Sequence, residues 1–147
     1  MISSFITPEK LEYLLRDLED IPDRIRAIDI KIRGVERPQL ERALDERRAE
    51  VTVEIAETVD AEGKRVYPNK EYRDAALTRT LADDITYVNA QNEVDELKRE
   101  KGELWVELRA EKSRLEAAVA RAHLMGSLVW LEATSKQTKP KIEDANA

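Results

Sequence analysis

Few residues in this chain have the chemistry of a reacting group. It holds one histidine, His123, and no cysteine. Thiol catalysis, disulfides and cysteine-based zinc sites are therefore excluded. A catalytic histidine needs a nucleophile and an orienting partner, and a metal needs several ligands at once. Neither accompanies His123, which falls on the last predicted helix as a surface or seam residue. Asp60 to Glu71 spans the length of a calcium loop with an acid at each end, but Lys64 stands at a ligand position and Arg65 where the tight turn requires glycine. Asp83 and Asp84 could hold a metal, yet they precede a long apolar pattern and read first as helix caps. No glycine-rich phosphate loop or serine elbow occurs. These residues predict a non-enzymatic chain with no cofactor and no metal.

Charge offers a different chemistry. Gly63 to Arg79 carries Lys64, Arg65, Lys70, Arg73 and Arg79 against Glu71 and Asp74, in a chain of net charge −6. Tyr67 and Tyr72 are interleaved with these cations. Such a set can grip a single nucleic-acid strand by phosphate contact and stacking. It can equally be a solvated loop whose tyrosines pack inward. A second basic cluster, Arg24, Arg26, Lys31, Arg33 and Arg37, is open to both readings. The overall acidity argues against a protein that coats DNA along its whole surface. Trp105 and Trp130 could each anchor a partner or pack against a neighbouring helix.

The elements that position these groups are helices. Charged residues make up 38% of the chain and aromatics 5%, with only 4 Gly and 5 Pro, too few turn formers for a β-sandwich. Thr7, Pro8 and Glu9 mark a helix start, with Ile6 and Leu11 spaced for a hydrophobic staple. Pro22 predicts an end or kink near Asp20 or Ile21, because an interior proline costs about 3 kcal/mol or more. Against this, Leu11, Leu14, Leu18, Ile21, Ile25, Ile28, Ile32 and Val35 form one heptad series straight across Pro22. Ile28, Ile30 and Ile32 also alternate as a strand would; helix is the favoured reading.

A second helix is expected from Pro38 through Leu40, Leu44, Val51, Ile55 and Val59, stopping by Gly63. Its β-branched end leaves a short β-hairpin near 51–67 as the alternative. Asn69 should cap a short helix over Lys70–Ala82. From Ile85 to Ala133 there is no proline, and Leu97, Lys101, Leu104, Leu108, Glu111, Leu115, Ala118, Ala122, Met125 and Val129 keep a 4-3 spacing. Such a helix would be roughly 73 Å long, against a radius of gyration of about 15 Å for a compact chain of this length. It must pair with the earlier helices as an antiparallel hairpin, with another chain, or with both. Lys101 and Glu111 interrupt its apolar stripe and are expected to set register or oligomer state. Arg47 is a candidate partner for Glu111.

The run from Gly63-Lys64-Arg65 through Tyr67-Pro68-Asn69 to Arg73-Asp74-Ala75-Ala76-Leu77, followed by Leu81-Ala82-Asp83-Asp84 and a long heptad helix, resembles a pattern in small phage and prophage proteins. The likeness covers roughly residues 50–130. It implies a coiled-coil accessory protein of phage DNA metabolism or host takeover, working in the cytoplasm of the host, and it assigns no catalytic residue.

Together these readings predict an all-α chain, an antiparallel helical hairpin or coiled coil with a long C-terminal helix. The expected divisions are an N-terminal helical segment (1–37), a hairpin core (38–133) and a polar tail (134–147). No run reaches the ~18 apolar residues of a membrane span, and no basic leader precedes the first helix. The expected function is an interaction scaffold or inhibitor that binds a protein partner and forms a homo-oligomer. The alternative is a nucleic-acid accessory factor acting through Lys64, Arg65, Tyr67, Lys70, Tyr72, Arg73 and Arg79.

Overall fold

Local signals start each helix where the caps stand. The computed structural model describes residues 6–137. Helix α1 spans Pro8–Val35, α2 Pro38–Glu57, α3 Lys70–Asp83 and α4 Ile85–Gln137, and the fold is all-α. Thr7 caps α1, its Oγ1 accepting from the Lys10 backbone N–H at 3.2 Å. Asn69 caps α3 through a 3.0 Å bond from the Tyr72 N–H. Asp84 closes α3, its own N–H donating to the Leu81 carbonyl, and opens α4, its Oδ1 accepting from the Tyr87 N–H at 3.1 Å. Each cap satisfies donors that the first helical turn leaves orphaned.

Three readings are corrected. Helix α1 does not end near Asp20 or Ile21; Pro22 lies inside it. The heptad series across the proline prevails, because Leu14 and Ile21 on one side and Ile28 and Ile32 on the other are all buried. Burying large aliphatic side chains contributes about 1.5–3 kcal/mol each, which together exceeds the cost of one interior proline. The alternative of a β-hairpin near 51–67 is not a strand pair: residues 51–57 are helical, and among the described residues the only extended pairing is a single bridge, Val59 to Arg65. The turn between them is built by Asp60, whose Oδ1 accepts from the N–H groups of Glu62 and Lys64. Gly63 completes it at φ 77°, a conformation that favours glycine. Helix α4 runs past the predicted end at Ala133 to Gln137; the rest of the predicted tail lies outside the described residues.

The chain divides into two compact units, residues 1–31 with 104–147, and residues 32–103. In the first, Leu14, Ile21 and Ala118 form the buried centre, with Leu18, Ile25, Leu115, Ala122 and Met125 packed around it. The two helical segments run antiparallel: Leu18 meets α4 near Ala122, while Arg24, further along α1, reaches back to Glu111. In the second unit, Val51, Ile55 and Leu81 are buried, covered by Tyr67, Ala76, Leu77 and Tyr87. Helix α2 packs on α3. Glu36 and Glu41 pair with Lys101 and Lys98, so α2 also enters antiparallel to the first half of α4. The α1–α2 link is closed by Arg37, which donates to the carbonyls of Gly34 and Glu36.

Candidate functional site

Burial and hydrogen-bonding capacity decide which predicted residues are available to a ligand. Lys64 and Arg65 sit on the Asp60–Gly63 turn, Lys70, Tyr72 and Arg73 on the first turn of α3, and Arg79 two turns further on. The five cations make no ion pair among the described residues. The two tyrosines separate. Tyr72 is exposed, whereas Tyr67 packs against Val51, Ile55 and Leu81. Stacking a base on Tyr67 would require opening that core. The basic tip therefore offers charge and one free ring.

Arg47, Lys101 and Glu111 are engaged inside the chain. Arg47 does not pair with Glu111: its Nε donates to Asp84 Oδ2 at 3.0 Å and its Nη1 to Glu50 Oε2 at 3.3 Å. Spacing alone put Arg47 on the stripe of α2, but the capping carboxylate of Asp84 lies within the same unit and competes for it. The backbone N–H of Tyr87, then the Arg47 guanidinium, hold the Asp84 carboxyl below the usual carboxylate range. In turn, Asp84 and Glu50 raise Arg47. Lys101 Nζ donates to Glu36 Oε1 at 2.7 Å, and that bond lowers the Glu36 carboxyl. Glu111 is buried and bonded on both oxygens, to Arg24 at 3.2 Å and Arg114 at 2.6 Å. Of these groups only Glu111 is buried, and a shifted pairing of its helices would leave that carboxylate without its partners.

A different surface stands out within the first unit. An apolar groove of about 810 Å³ is lined by Leu18 of α1 and by Val119, Ala122, His123, Gly126 and Trp130 of α4, with Leu131 at its edge. Trp130 is 65% exposed. Gly126 opens space here, with nothing within 4 Å of where a side chain would begin. Ala117 to Leu131 carries one charged residue, Arg121, in a chain that is 38% charged. A helix apolar on all sides is ordinarily covered, yet Leu124, Val129, Trp130 and Leu131 are all exposed. Val129, expected in the seam, is exposed, and Leu128 is the half-buried residue instead. Trp105 is half exposed, so neither tryptophan is buried among the described residues. The sequence signal for this surface was the local loss of charge after Glu116.

Among the described residues no group of three or more histidine or acidic side chains could hold a metal ion. No helix among them is long and apolar enough to cross a membrane. Comparison with protein-family models, curated proteins and solved structures finds no match.

Proposed function

We propose that this chain is a non-enzymatic helical interaction protein, a scaffold or an inhibitor, that binds a protein partner through the groove between α1 and α4. The observation that carries this reading is the exposed Trp130 beside a groove lined by Leu18 and Val119. Binding hot spots are enriched in tryptophan, tyrosine and arginine, and a large exposed apolar patch costs solubility unless something uses it. The resemblance of residues 50–130 to phage accessory proteins supports a phage origin and a site of action in the host cytoplasm.

A second reading assigns single-stranded nucleic acid to the basic tip, and its five cations, which make no ion pair among the described residues, favour it. The test runs both together. Full-length protein and a Val119→Lys/Trp130→Ala variant are used to capture partners from a phage-infected host lysate, beside a mobility shift on single-stranded DNA at low and moderate salt. The groove reading expects a protein retained by the wild type and at least tenfold depleted on the variant. A DNA shift abolished by Lys64→Ala/Arg65→Ala/Arg73→Ala, with no groove-dependent protein, would replace it with the second reading.

A further inference from the structure

Helix α4 carries two heptad stripes, and only one of them is packed in its unit. The packed stripe passes through Leu108, Glu111, Leu115, Ala118, Ala122 and Met125. The second has the same 4-3 spacing. It runs from Val106 through Ala110, Ser113, Ala117 and Ala120. It continues through Leu124, Ser127 and Leu131 to Thr134. Each of its members from Val106 to Leu131 stands two residues beyond a position of the 4-3 series that runs from Leu97 to Val129. At about 100° per residue, that puts the two stripes on opposite sides of the helix. No member of the second stripe is charged, although the chain is 38% charged. All but the half-buried Thr134 are exposed, Val106 at 70% and Leu124 at 60%.

We infer that this second stripe is the contact surface for a second copy of the chain, the two α4 helices lying antiparallel about Ala120. Side-chain size is the reason. Apart from Val106 at its end, the first half of the stripe is alanine and serine, and both leucines lie in the second half. An antiparallel pair sets Leu124 across from Ala117 and Leu131 across from Ala110, so each large side chain enters the space an alanine leaves. The surface is thus complementary to itself, as a two-fold contact requires. A parallel, in-register pair would set leucine on leucine and alanine on alanine, with voids along half its length. The area sets the strength of the contact. The stripe is about 42 Å long, and a helix about 10 Å wide lying on it covers roughly 420 Å² of each partner. The total of roughly 840 Å² is that of a weak two-fold contact, formed at micromolar chain concentrations. Arg121 flanks the axis, where its head group can stay in water.

This contact goes beyond the groove reading and shares with the groove only Ser127 and Leu131. It is tested away from those two residues. The mass of the full chain is measured by light scattering at tens of micromolar, with circular dichroism to check helix content. Twice the chain mass is expected for the wild type and for Val119→Lys/Trp130→Ala. A single chain mass, at unchanged helicity, is expected for Ala117→Glu/Leu124→Glu. Because the chain lacks cysteine, orientation is read by mild oxidation of single-cysteine variants. Ala117→Cys mixed with Leu124→Cys should form mainly the mixed disulfide. Wild type at a single chain mass overturns the proposal. So do a doubled mass that survives Ala117→Glu/Leu124→Glu, a doubled mass lost in the groove variant alone, and Leu124→Cys coupling to itself in preference to Ala117→Cys.

Discussion

The two units use similar helices and treat their apolar side chains differently. Between α2 and α3, Val51 is fully buried, and Tyr67, Leu77 and Tyr87 close over Ile55 and Leu81. Around residues 63–79 that unit shows solvent Lys64, Arg65, Lys70 and Arg79, with Val66 and Tyr72 among them. In the unit formed by 1–31 and 104–147, one stripe of α4 is packed, while Trp130, Leu131, Leu124 and Val106 stay exposed. The first arrangement closes its centre within the chain, although Val53, Val59, Tyr72 and Ile85 stay exposed around it. The second leaves leucines and a tryptophan in water along one helix, and that apolar surface carries the proposed partner reading better than the solvated cations do. Charged side chains are at ease in water, whereas exposed leucine and tryptophan forgo the hydrophobic free energy that folding ordinarily gains.

Substitutions can break or sharpen this contrast. The largest expected effect is in the packed stripe: Ile21→Ala should cost about 3–4 kcal/mol by urea unfolding, through lost transfer energy and a cavity. Val51→Ala, in the core between α2 and α3, should cost about 2 kcal/mol, less because fewer atoms are removed. If both are near neutral, neither core is packed as described. Next is Pro22→Ala, which restores a backbone donor inside α1 and should stabilise by about 1–3 kcal/mol. A loss of stability there would mean that α1 relies on the proline's geometry. Glu111→Leu should raise the melting temperature modestly, because Arg24 and Arg114 are exposed enough to return to water. Glu111→Ala should lower it, since it leaves a void between them. Smallest is the cap of α3: Asn69→Ala should cost about 1 kcal/mol without changing the mass of the protein in solution.

Acid should act on the polar side of the comparison. The Glu36 and Asp84 carboxyls are held below their ordinary range, Glu36 by the Lys101 hydrogen bond and Asp84 by the Tyr87 N–H and Arg47. The folded chain therefore binds fewer protons there than the unfolded chain. The stabilisation is fully present above the ordinary carboxylate range and is lost as pH falls through the lowered values, from about pH 4 downward. Thermal melts between pH 7 and pH 3 should show that decline, and Lys101→Ala should flatten the part due to Glu36.

Much of the fold was legible in the sequence because it rests on short-range rules. Thr7, Asn69 and Asp84 announce helix starts by side-chain chemistry alone. The 4-3 spacing of leucines and isoleucines names the packed face of α1 and of α4. Long-range pairing was less legible. Arg47 was expected opposite Glu111, and nothing local distinguishes that partner from Asp84. The ending of α1 at Pro22 was a local rule overruled by tertiary burial. The basic tip was visible as composition, but only packing reveals that Tyr67 is unavailable for stacking. The exposed face of α4 was written in the sequence as an uncharged series from Val106 to Thr134, and it becomes informative once α1 is seen to occupy the other side.

The central claim is that the α1–α4 groove, rather than the basic tip, is where this protein meets a partner protein. Site-specific photo-crosslinking tests it most directly, with a benzophenone side chain placed at His123 in the groove and, in a second protein, at Arg73 on the tip. In infected-host lysate the groove position should yield a discrete protein adduct, lost on adding Val119→Lys, and the tip position should yield none. Nucleic-acid adducts at Arg73, with no protein adduct at His123, would contradict the account.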